Sequence, residues 1–169
     1  MPSARFAVAV WLLTAVLLQL GVVNRLHIPY GDPNLAIVTV LSLALLEGPG
    51  FGMTAGFCAG LLGDLLGTHT LGRLALVWTV AGYLAGMFHT DLGRQSSSPL
   101  RAMGLVGVGS FLATLGYAAL AVVAGEAHAP LGQLARIAFA TTVYNVLLTP
   151  FIYPVLRGLL VRLDPTRAT

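Results

Sequence analysis

The stretch Phe51-Gly52-Met53-Thr54-Ala55-Gly56-Phe57-Cys58-Ala59-Gly60-Leu61-Leu62-Gly63-Asp64-Leu65-Leu66-Gly67 carries a single charge and no proline. Its glycines at 52, 56 and 60 recur every four residues, and Gly63 and Gly67 form a second such pair. On a helix this spacing clears side chains from one narrow stripe and lets a neighbouring backbone approach closely. Helices pack in this way inside a membrane, where no hydrophobic drive brings them together. Gly82 and Gly86, further along, repeat the spacing. The stripe has two uses, packing within the chain or a groove offered to a partner helix, and small-residue motifs do not separate them.

The rest of the chain agrees with a membrane reading. Of 169 residues, 57% are hydrophobic and only 9% charged, whereas soluble domains carry about 25% charged residues. Mean hydropathy is +0.86. A water-facing surface cannot be built from so few charges. All nine basic residues are Arg, dispersed along the chain, so the net charge of +3 reflects sidedness and not a nucleic-acid patch. The one cysteine, Cys58, excludes an intrachain disulfide and reads as a small apolar side chain.

Six hydrophobic spans follow, at about 6–24, 33–46, 51–66, 73–88, 102–125 and 133–161, forming a single polytopic transmembrane domain. The fold class is an all-α integral membrane protein, a compact bundle of about six transmembrane helices. The first span is too long for a signal-peptide core, lacks a convincing cleavage site and precedes further membrane segments, so it is read as retained. Pro33 should stand in the first turn of span two. That span is short: its residues cover about 21 Å of a hydrocarbon core of about 30 Å, so it needs extra turns, a thinned bilayer or protein neighbours. Glu47-Gly48-Pro49-Gly50 is a tight break between spans two and three. Pro150 and Pro154 should kink or break the second half of span six.

With six spans both termini share one side. That side collects Arg5, Arg94, Arg101, Arg157, Arg162 and Arg167, against Arg25, Arg73 and Arg136 opposite. The positive-inside rule then places both termini in the cytoplasm.

Few residues are candidates for chemistry. Asp64 falls four residues after Gly60, on the glycine stripe and about a turn inside the helix end, while Arg73 opens span four. Each has the wrong sign for its own helix terminus, so pairing across the intervening turn would relieve both. The alternatives are two solvated interfacial charges or, with no second intramembrane acid to receive a proton, a poorly supported relay. Gln19 and Asn145 lie deeper and should face protein, as interhelical hydrogen-bonding groups or as ligand contacts. His27, His69, His89 and His128 fall in expected loops without metal-ligand spacing, so neither a metal nor another cofactor is expected. No nucleophile with a base, phosphate-binding glycine loop or carboxylate pair appears, and catalysis is unsupported.

The ordered pattern resembles a known family. Pro33-Asn34-Leu35, the Gly48-Pro49 break, Ala55 to Gly67 as quoted above, Thr70-Leu71-Gly72 and Ala81-Gly82-Tyr83-Leu84-Ala85-Gly86 are similar to the rod shape-determining protein MreD family. The resemblance implies a small, non-enzymatic subunit of the bacterial cytoplasmic membrane, serving the elongation machinery of cell-wall synthesis. Its implied partners are MreC, the actin-like MreB, and the polymerase RodA with its class B penicillin-binding protein. Membrane lipid surrounds it, and no nucleic acid is involved. The implied fold looks like that of the substrate-binding subunits of energy-coupling-factor vitamin transporters, so such a subunit is the alternative. Those usually show Ala-xxx-Ala in the first span, whereas Ala4, Ala7, Ala9 and Ala15 offer no pair at that spacing.

Overall fold

A computed structural model describes residues 2–21, 31–67, 71–89, 99–125 and 130–163. Within them the chain forms six helices and no strand: α1 (Pro2–Gly21), α2 (Leu35–Glu47), α3 (Pro49–Leu66), α4 (Arg73–Gly86), α5 (Pro99–Val123) and α6 (Leu131–Leu163). His27, His69, His128 and the Ser96-Ser97-Ser98 segment lie outside the described residues.

The centre is α2. Every residue from Ala36 to Leu45 is buried, and α2 packs against all five other helices. A helix that is apolar all round belongs in a core, and Leu35–Glu47 has no polar face to turn outward. At about 1.5 Å per residue it is only about 20 Å long. Neighbouring helices cover it on every side. By contrast α6, at 33 residues, extends about 50 Å and exceeds a hydrocarbon core of about 30 Å.

Stretches from α5, Leu100–Val123, and α6, Gly132–Arg162, are long and apolar enough to cross a membrane. The inward face of α6 runs through Ala138, Thr141, Asn145, Thr149, Ile152 and Leu156, spaced three or four apart as one helical face requires. Pro150 and Pro154 occupy exposed positions, and the helix continues through both. The expected break is therefore absent. Each proline deletes one N–H from the ladder, but both rings point away from the packed face, and local adjustment within the bundle accommodates them.

Gly48 connects α2 to α3 by itself. Its φ of 93° lies in the left-handed region open chiefly to glycine, and its N–H donates to the Ala44 carbonyl at 2.8 Å while its own carbonyl accepts from Gly52 at 2.9 Å. Pro49 then fills the first helical position, where a missing N–H costs nothing. Pro33 is a correction. It stands before the cap instead of inside α2, because Asn34 takes the N-cap and its side chain accepts from the Ile37 N–H at 3.0 Å.

Candidate functional site

The glycines of α3 meet α4 backbone to backbone. A Cβ placed on Gly52 would collide with the Gly82 carbonyl, one on Gly56 with the Trp78 carbonyl, and one on Gly60 would sit 2.5 Å from the Ala75 Cα. From the other side, Gly82 abuts the Gly52 carbonyl and Gly86 the backbone of Pro49. Two helices running antiparallel thus touch with no side chain between them at five glycines. Ala55, Ala59, Ala75, Ala81 and Ala85 are buried on the same two helices, so the faces stay narrow along their length. Gly63 sits apart: a Cβ there meets only the Leu74 Cδ1 at 3.2 Å. Gly67 ends α3, its N–H bonded to the Gly63 carbonyl at 2.9 Å.

At one end of this hairpin lies Asp64, 2% exposed. One carboxylate oxygen accepts from the N–H of Gly72 at 2.9 Å and of Ala75 at 3.1 Å, and the other accepts from Leu74 at 3.2 Å. Those donors belong to the first turn of α4, whose own N-cap, Gly72, has no side chain to offer. The carboxylate opposes the dipole of the helix it stands on but complements that of the next, which the reading of α3 alone missed. The available signal was a glycine at the cap position of α4. Arg73 extends toward α5, with its guanidinium 5.2 Å from the centre of the Tyr117 ring, within range of a cation–π contact.

Gln19 and Asn145 converge on the start of α2. Gln19 donates Nε2 to the Pro33 carbonyl at 3.0 Å and accepts from the Leu35 N–H at 2.7 Å. Asn145 accepts from the Asn34 N–H at 2.7 Å. The first N–H groups of a helix have no partner within it, and leaving them unpaired away from water costs about 1–3 kcal/mol each. One amide from α1 and one from α6 relieve that cost where α2 begins inside the bundle. Residues 31–34 lie along α6, with Gly31 so close to Thr141 that a Cβ would stand 2.9 Å from its Oγ1.

His89, expected in a loop, secures the opposite end of α2. Its Nδ1 donates to the Leu45 carbonyl at 2.9 Å, and its ring covers Gly48. No group of three or more His, Cys, Asp or Glu side chains able to hold a metal occurs among the described residues.

A cavity of about 800 Å³ opens at the end where α2 and α4 begin, with Gln19, Asn34, Leu74 and Tyr117 on its walls. A family model for the rod shape-determining protein MreD matches residues 4–163, nearly the whole chain. The chain belongs to the MreD family. No curated protein and no solved structure gives a significant match. MreD proteins are bacterial membrane proteins that determine rod shape, and the exposure of Phe57, Leu76, Phe139 and Phe151 on the outer faces fits a bilayer setting.

Proposed function

We propose that this MreD-family chain is a non-enzymatic scaffold subunit of the bacterial cell-elongation machinery, which binds MreC and helps to organise peptidoglycan synthesis. Through that assembly it meets MreB, RodA and a class B penicillin-binding protein. The observation that carries the reading is the family match across residues 4–163. The geometry is consistent with it, because Asp64, Gln19 and Asn145 all hold helix termini of the chain itself and none is arranged as a nucleophile with a base.

The placement that goes with this reading is six crossings of the cytoplasmic membrane with both termini inside, supported by the arginine asymmetry. Single cysteines at Ser97 and His128, in a Cys58-free background, test it with an impermeant thiol reagent on intact cells. Labelling at His128 and protection at Ser97 are expected, and the reverse would overturn the topology.

One observation favours a second reading. The cavity suits the bundle of a substrate-binding subunit of an energy-coupling-factor transporter, although the first helix lacks the Ala-xxx-Ala spacing. Affinity purification of the detergent-solubilised protein from its native host, followed by mass spectrometry, separates the two. MreC in the eluate supports the scaffold, and an energising ATPase pair supports the transporter.

A further inference from the structure

The exposed residues that line the cavity are mostly polar and the buried ones mostly apolar. At the mouth stand Asp32, Gln133 and Arg136, all exposed. At the floor stand Val16, Ile37, Trp78 and Ala113, all buried. Most of the polar groups in between are already engaged, the Thr141 hydroxyl and the Trp78 indole N–H being the exceptions among the described residues. Gln19 holds the Pro33 carbonyl and the Leu35 N–H, the Asn34 side chain caps Ile37, and the Thr114 hydroxyl donates to the Ser110 carbonyl at 2.9 Å. Few hydrogen-bonding groups remain inside to recognise a polar ligand, which a site for a water-soluble molecule needs in order to fix orientation. What the interior offers is apolar surface, and what the mouth offers is charge.

We infer that this cavity takes up an acyl chain of a phosphate-bearing membrane lipid, with the chain against Trp78 and Ala113 and the phosphate at Arg136. The volume of about 800 Å³ falls within the range of about 300–1,000 Å³ typical of small-ligand sites. A guanidinium presents five N–H donors in a fork suited to phosphate, so Arg136 can hold an anion beside the contact it makes within the chain. Entry needs no passage through water, because α6 at Gln133, Arg136 and Ile137 is exposed on the surface of a membrane protein. A cavity with a mostly apolar interior that opens on the surface of a membrane protein fills most simply from the bilayer around it. The inference does not depend on which partner the scaffold binds.

The chain has two tryptophans, Trp11 and Trp78, so a Trp11→Phe variant of the full chain reports from the cavity floor alone. Trp78 is 5% exposed and is shielded from bulk lipid. The purified variant in detergent is titrated with phosphatidylglycerol brominated on its acyl chains, since bromine quenches indole fluorescence on contact. Saturable quenching is expected. Arg136→Gln should weaken phosphatidylglycerol binding about tenfold and leave brominated diacylglycerol, which has the chains without the phosphate, unchanged. Ala113→Phe should abolish quenching by filling the floor, and Ala113→Leu should weaken it if the larger substitution prevents folding. Millimolar inorganic phosphate should not compete.

Absent quenching, or quenching linear in lipid and equal in the Ala113 variants, would overturn the inference. So would equal binding of diacylglycerol and phosphatidylglycerol, or competition by inorganic phosphate, which would make the mouth a site for the free anion. Native mass spectrometry of protein extracted with its lipids should show phospholipid-mass adducts. A water-soluble organic molecule retained in their place would contradict the assignment.

Discussion

The α3–α4 seam and the polar end of the bundle hold helices together by opposite means. At the seam, side chains are removed: Gly52, Gly56, Gly60, Gly82 and Gly86 let backbones touch, and stability comes from close packing that any added atom disrupts. At the polar end, side chains are supplied. Gln19, Asn145 and Asp64 reach across to backbone groups that the starts of α2 and α4 leave without partners. The seam is intolerant of volume and the polar end is intolerant of lost hydrogen bonds, so each should fail under a different kind of substitution.

The largest effect is expected at the seam. Gly82→Ala places a methyl group against the Gly52 carbonyl, which cannot yield without moving a helix, and should cost about 3 kcal/mol or more. Gly63→Ala adds the same methyl against only the flexible end of Leu74 and should cost under about 1 kcal/mol. Denaturant-driven unfolding in mixed micelles measures both. Equal costs would remove the distinction between backbone contact and ordinary glycine content.

Next come the amides. Gln19→Leu strands one carbonyl and one N–H, and Asn145→Leu strands one N–H. At about 1–3 kcal/mol for each buried group left unpaired, Gln19→Leu should be the more damaging in the same unfolding assay. Neutral behaviour of both would mean that water or lipid headgroups satisfy the start of α2 instead.

The smallest effect is a coupling. Asp64 and Arg73 both bear on the first turn of α4, one through its N–H groups and one by reaching to Tyr117. Asp64→Asn and Arg73→Gln should each destabilise, and the double variant should cost less than their sum, by about 0.5–3 kcal/mol. Strict additivity would make them independent. Loss of function at unchanged stability in Asp64→Asn, without rescue by Arg73→Gln, would point to an ionic role for the carboxylate.

Helix positions were legible in the sequence because charge-free stretches and the Gly48-Pro49 punctuation are local signals. The shortness of the stretch that forms α2 was legible too, and protein neighbours were one of the remedies it called for. What could not be read were relations across helices. Asp64 looked misplaced at the end of α3 because the helix it serves begins eight residues later with a glycine that cannot cap it. The target of Gln19 lies on the next helix, and that of Asn145 is 111 residues away. Pro33 was placed inside α2 because the cap taken by the Asn34 side chain was not foreseen, and the prolines of α6 were read as a kink or break, since sequence alone does not say that both face outward. Neither spacing nor composition could reveal the cavity, which is lined by residues of all six helices and of the 31–34 segment.

The account rests most heavily on the glycine stripe being used within the chain, which leaves partner recognition to other surfaces. Gly56 and Cys58 test this on a single helix, because at 3.6 residues per turn they lie about 200° apart. Gly56 is buried against Trp78, and Cys58 is exposed. The measurement is thermal unfolding of Gly56→Leu and Cys58→Leu in detergent, with MreC recovery by affinity purification read alongside. The account predicts a sharp loss of stability for Gly56→Leu, with MreC recovery falling only as far as folded protein falls, and a near-normal Cys58→Leu. A Gly56→Leu protein as stable as wild type, or no less stable than Cys58→Leu, would contradict it.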